Sequence, residues 1–205
     1  MSEPSHFADA PDQNPYFEPE PEPEDVQRSS LLSWIFALVF AMAAAFLIRT
    51  FVFEPYVVPT GSMLETIQLG DQLIGEKITF HLREPQAGDI VTFPDPSGSN
   101  SILIKRVIAT AGQTVDLVDG QVLVDGVPID EPYTQGKPSY PIDDHPAGMD
   151  LDLTYPYVVP EGYVWVMGDN RTNSLDSRYF GPVRTDTITA RGVLIFWPLD
   201  HFGTI

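Results

Sequence analysis

Ile102-Leu103-Ile104-Lys105-Arg106-Val107-Ile108 is the stretch on which the reading of this 205-residue chain turns. Its β-branched and aliphatic residues read as a strand, and along a strand alternate side chains share a face. Lys105 then points the same way as Leu103 and Val107, onto a face that is otherwise apolar. A lysine held against apolar neighbours loses hydration of its cationic form, so its pKa falls from the free value of about 10.4. Burial of this kind can bring an amine to the range of roughly 7–8 that a general base needs at neutral pH. Upstream, Pro59-Thr60-Gly61-Ser62-Met63 offers a nucleophile for that base, with Gly61 letting the backbone bend and a carbonyl approach closely. Taken by themselves, the two residues fit better a turn serine and an edge-strand lysine reaching to water.

The surrounding words change that balance. Pro-Thr-Gly-Ser-Met at 59–63, Gly-Asp-Ile-Val at 88–91, Lys-Arg-Val-Ile-Ala at 105–109 and Gly-Asp-Asn-Arg-Thr-Asn-Ser-Leu-Asp-Ser-Arg at 168–178 follow one another behind an apolar N-terminal segment. In this order they resemble the bacterial type I signal peptidases, from roughly residue 30 to residue 200. The resemblance implies a mainly β, largely antiparallel catalytic domain on one N-terminal transmembrane helix. It also implies a Ser62 nucleophile with Lys105 as base, and an oxyanion site made by the Ser62 amide and the Thr60 hydroxyl. Ser174 would hydrogen-bond and orient the Lys105 amine, and Asp169, Arg171, Asp176 and Arg178 would form an ion-pair network around the dyad. Substrates would be signal peptides of exported preproteins, cut after small residues in an Ala-x-Ala-like context. No cofactor or metal is implied. The sequence departs from the family pattern at Thr60, where some relatives have serine, at Glu65, where proline is common, and at Thr172, which is often acidic.

Composition bounds the alternatives. A formal charge of −18 argues against a nucleic-acid partner and against a polybasic membrane-surface binder. The absence of cysteine excludes a disulfide scaffold, a thiol nucleophile and a cysteine zinc site. Residues 1–30 hold eight acidic residues, one arginine and six prolines, including the run from Glu18 to Glu24, and read as a disordered tail. Leu31 to Ile48 carries no charge, and 31–53 is long enough for a helix across the bilayer. An acidic leading region and a long apolar run favour a permanent anchor over a cleaved signal. Arg28 and Arg49 flank the segment and give no bias in orientation; the resemblance places the tail in the cytoplasm and residues 54–205 outside the cell membrane.

Further along, Asp119-Gly120 and Asp125-Gly126 separate three short β-branched runs and predict a three-strand meander. A long loop is expected from Glu131 to Asp152; Asp143-Asp144-His145 within it lacks the fixed ligand spacing of a hydrolytic metal site. Tyr163 to Met167 and Ala190 to Pro198 read as strands, with Phe196 and Trp197 assigned to core packing rather than to a membrane interface. A substrate chain would bind as an added strand, with Val57, Ile90, Ile104 and Val107 lining shallow pockets. Two other readings share these residues: a self-cleaving Ser/Lys peptidase, for which Ala111-Gly112 and Ala147-Gly148 are candidate sites, and a membrane-tethered β scaffold without chemistry.

Overall fold

The period-two pattern that marks Ile102–Ile108 as a strand recurs along the chain, and its consequence is two antiparallel sheets. The computed structural model describes residues 23–146, 149, 151 and 153–205. The expected tail up to residue 22, and the Ala147-Gly148 dipeptide, lie outside the described residues. The chain divides into a unit ending at Ala45 and a unit from Phe46 to Ile205.

Helix α1 (Pro23–Phe51) contains the one segment among the described residues long and apolar enough to cross a membrane, the 22 residues Ser30–Phe51. At 1.5 Å per residue it spans roughly 33 Å, enough for a single pass. The helix ends two residues short of the expected 53 and begins earlier than 31, so that residues 23–30, expected as part of the disordered tail, are helical. It starts at Pro23, where a proline in the first turn forfeits no hydrogen bond. It stops at Phe51 because Phe53 is already paired with Glu76 in a sheet.

The main sheet is built from β1 (Phe53–Val57), β2 (Gln72–Glu76), β3 (Ile90–Pro94), β4 (Ile102–Thr110), β9 (Tyr163–Met167), β10 (Val183–Arg184), β11 (Ala190–Trp197) and β12 (Gly203–Thr204). The spatial order is β1-β2-β11-β3-β4-β9-β10, with β12 added to β11, so the late strand β11 lies between two early ones. The smaller sheet contains β5 (Thr114–Val118), β6 (Gln121–Val124), β7 (Val127–Pro128) and β8 (Tyr157–Val158) in the order β7-β6-β5-β8. Its first three strands are the expected meander. Both turns have positive φ at Asp and Gly (51° and 81° at 119–120, 54° and 77° at 125–126), the backbone that suits a tight hairpin.

Strand β9 shows how the alternation divides the interior. Val164 and Val166 face a cluster with Val91, Phe93 and Val107; Trp165 and Met167 face another with Val115, Val122 and Val159 under the smaller sheet. A register shift between Val107 and Ala109 lets β4 turn both Ile108 and Ala109 to that second cluster. A third cluster joins Met63, Ile67, Leu73, Ile90, Ile104 and Ile195. The core assignment of Trp197 is corrected here: it is 51% exposed and Phe196 only half-buried, because a register shift between Ile195 and Trp197 takes the strand end off the core face.

Gly75 in β2 lies under a tight crossing. A Cβ there would sit 2.7 Å from the Tyr56 ring and 2.9 Å from Ala190 Cβ. Gly75→Ala is therefore expected to destabilise the protein by ~1–3 kcal/mol through overpacking. Thermal unfolding of the full-length protein in detergent measures this, and an unchanged Tm would contradict the close approach.

Candidate functional site

The Ser62 turn is pinned by its neighbours. Met63 and Ile67 are buried in the core, and the Ile67 amide donates to Met63 O at 2.9 Å. At the ends, Val58 N donates to Asp71 O and Gly70 N to Val58 O, both at 2.9 Å. The turn cannot drift without withdrawing apolar side chains from the core, so Ser62 is presented at a fixed place. On β4, Lys105 stands opposite Val91 of β3 and is 3% exposed. Its Nζ donates to Ser62 Oγ at 2.7 Å and to Ile104 O at 3.0 Å. Burial pushes the Lys105 ammonium from 10.5 down to about 8, with Asp176, Asp169 and Asp95 pulling the other way.

Ser62 and Lys105 share a cavity of about 140 Å³ with Thr60, Val58 and Ile104. Of the four residues expected to line substrate pockets, Ile104 alone lies in its wall. Val57 is exposed, and its neighbour Val58 turns inward instead, since one step along a strand exchanges the faces. Ile90 and Val107 are taken up by the core clusters, so the pocket role given to them is corrected.

The polar stretch 168–178 follows β9 and packs behind the dyad. Gly168 is there because nothing larger fits: a Cβ would lie 2.2 Å from Ser174 Oγ and 2.4 Å from Ser62 O. Ser174 is thus brought to the site, but the expected hydrogen bond to Lys105 is not made. Its Oγ is buried and has no partner, the hydroxyl being turned toward Gly168. The charged residues do not pair only among themselves. Asp176 is held bidentately by Arg178, both contacts at 2.9 Å, and also accepts from the Gly168 amide. Asp169 is gripped by Arg106 at 2.9 and 2.7 Å and by the Thr66 hydroxyl. Arg171 reaches out of the stretch to Glu131 and Ser139, while its Nε donates to Gly168 O at 3.0 Å.

Three contributors had not been singled out in the sequence. Asn170 clasps the Ser62 turn: its backbone amide donates to Ser62 O at 3.0 Å and its Nδ2 to Gly61 O at 2.7 Å. Arg106 is adjacent to Lys105, and on a strand it must face away from it, toward Asp169. Tyr133 stacks on the Arg106 guanidinium at 4.2 Å and hydrogen-bonds Glu131, joining the expected long loop to the site. Among the described residues no three His, Asp or Glu side chains are grouped as metal ligands. The arrangement can move a proton from a hydroxyl to an amine in a small, largely apolar cavity.

The chain is similar to known proteins over most of its length. Residues 31–197 match the family described as signal peptidase, peptidase S26. A signal peptidase I from Leptolyngbya laminosa is 37% identical over 185 residues, covering 86% of this chain and 85% of that one. A probable signal peptidase I-1 from Synechocystis is 38% identical over 175 residues, covering 82% and 83%. Among solved structures, a signal peptidase I from Enterococcus faecalis is 30% identical with a TM-score of 0.41, over 53% of this chain and 97% of the other.

Gly168→Ala tests how tightly the stretch backs the dyad. The added methyl must displace Ser174 and the Ser62 backbone, admitting water to Lys105. NMR titration of the Lys105 amine in the variant is expected to show a pKa raised from about 8 toward 10.5. An unaltered titration would contradict the packing.

Proposed function

The chain belongs to the signal peptidase family, peptidase S26, and on that premise we propose that it is a membrane-anchored serine endopeptidase working by a Ser62/Lys105 dyad. It removes N-terminal signal peptides from exported preproteins and cuts after small residues in an Ala-x-Ala-like context. In this reading α1 anchors it in the cell membrane with the N-terminus cytoplasmic and residues 54–205 outside. The observation that carries the dyad is the 2.7 Å contact from Lys105 Nζ to Ser62 Oγ at the wall of an apolar cavity.

The chemistry follows from that contact. Neutral Lys105 takes the Ser62 proton as Oγ attacks the scissile carbonyl. The oxyanion is met by the Ser62 amide and the Thr60 hydroxyl, and Thr60 lines the same cavity. The Lys105 ammonium then gives its proton to the leaving amine, so the C–N bond breaks and the acyl-enzyme remains. Lys105, neutral again, deprotonates the water that hydrolyses the ester. Ser174 enters by rotation: its buried, unpartnered hydroxyl turns from Gly168 to the Lys105 amine and fixes its direction. The scheme draws on the side chains of Ser62, Lys105, Thr60 and Ser174 and on the Ser62 backbone amide. A cavity of about 140 Å³ suits small side chains, and the substrate lies extended beside residues 57–60 and the start of β4. Self-cleavage at Ala111-Gly112 finds no support in the fold, since the Gly112 amide is bonded to Val159 O at 2.9 Å.

Cleavage of a preprotein by the full-length protein in detergent, with the product's new N-terminus read by mass spectrometry, tests this. Product beginning just after a small residue is expected from the wild type and is absent with Ser62→Ala and with Lys105→Met, both still folded. Cleavage by either variant overturns the dyad; none by the folded wild type favours a tethered scaffold. Only the neutral amine accepts a proton, so kcat/KM is expected to rise with pH through about 8 and to level off above it. A limb near 6.5, the free histidine range, would point to another base.

A further inference from the structure

The wall of the dyad's cavity contains one ionisable side chain besides Lys105, and the catalytic scheme leaves it unused. Asp95 sits where β3 ends and the hairpin to β4 begins, next to Ser101 and Ile102 in the wall. Around it the wall is aliphatic, with Val58, Met63 and Leu103. The carboxylate is built in rather than loose. Oδ1 accepts from the Ser97 amide at 2.8 Å and its hydroxyl at 2.7 Å, Oδ2 accepts from the Ser99 hydroxyl at 2.6 Å, and the Asp95 amide donates to Ser101 O at 2.9 Å. A carboxylate can take about four such bonds, so Oδ2 keeps capacity for a further donor.

We propose that Asp95 is a specificity-determining residue of the cleft, which selects a basic side chain, and rejects an acidic one, at one substrate position on the amino-terminal side of the cut. This rests on the peptidase reading above. The position follows from strand geometry. Ser101, whose carbonyl accepts from the Asp95 amide, is four residues before Lys105, about 13 Å at 3.3 Å per residue. A substrate chain lying extended along β4 therefore meets Asp95 about four residues beyond the one that bears the scissile carbonyl. Partial burial pushes the Asp95 carboxyl up, but the Ser99 and Ser97 hydroxyls and the Ser97 amide outweigh it and hold the acid below its usual range. It is a fixed negative charge at working pH. Its field also reaches Lys105 and favours the ammonium. A cationic side chain seated on Asp95 cancels that field and helps the base to stay neutral, whereas an acidic one adds to it. Selection then acts on turnover as well as on binding.

The test is a set of peptide substrates identical except for Lys, Gln or Glu at each of the five positions before the cut, given to the full-length protein in detergent. The quantity read is the kcat/KM ratio of the Lys to the Glu peptide within each enzyme, which removes any general loss of activity. The wild type is expected to prefer Lys by on the order of tenfold at a single position near the fifth, less so in high salt. Asp95→Asn keeps an acceptor for the Ser97 amide and is expected to bring the ratio to about one, while Asp95→Lys inverts it. A wild-type ratio near one at every position, or a preference that persists in both variants, overturns the proposal. Failure of the peptidase reading looks different, because then none of the peptides is cut by the wild type.

Discussion

The site depends on keeping one amine dry. Lys105 in water is an ammonium at any physiological pH and useless as a base; at 3% exposure its cationic form is penalised, and the pKa falls to about 8. Such burial is tolerable because the amine is not orphaned: Ser62 Oγ and Ile104 O accept its protons. Three carboxylates oppose the shift, those of Asp176, Asp169 and Asp95. Two of them are completely buried and bound bidentately by arginine, Asp176 by Arg178 and Asp169 by Arg106. Those guanidiniums offset much of the negative field at the lysine. The ion pairs are thus more than mortar: they let a loop rich in acid stand beside an amine whose charged form is penalised by burial.

The same pairs make the dyad a property of the whole domain. Gly168 lets Ser174 and Ser62 O approach one backbone position, Asn170 holds the Ser62 turn from behind, and Arg171 carries the stretch across to Glu131. Glu131 and Tyr133 belong to the segment that leaves the smaller sheet, so that sheet reaches the chemistry through two guanidiniums, Arg171 and Arg106. Removing one partner of a buried pair of this kind typically costs ~3–5 kcal/mol, because the other charge is left uncompensated.

Much of this was legible in the residues. The alternation in Ile102–Ile108 marked the β4 strand, and the two Asp-Gly pairs marked the meander, because both are local rules of backbone and side-chain direction. What local rules miss is who meets whom. Glu131 lies 40 positions from Arg171 in the chain, and nothing about its neighbours announces the pairing. Asn170 was hidden by its charged companions, though an amide can hold a turn by donating to carbonyls. Val57 failed as a pocket residue for a different reason. Whether Val57 or Val58 faces inward is a matter of one step in register, and the two positions carry the same residue. Trp197 failed likewise, through a register shift that composition does not signal.

The place of β11 has a consequence for the birth of the protein. β2 and β3 do not touch along the sheet; residues 190–197, made only after β4 to β10, fill the gap between them. Until then the sheet is in two pieces, and the stretch that backs Ser62 has no finished platform. Pairings this distant in sequence are slow to form and come late. A nascent or prematurely terminated chain would therefore carry its serine and lysine without a working alignment of the two.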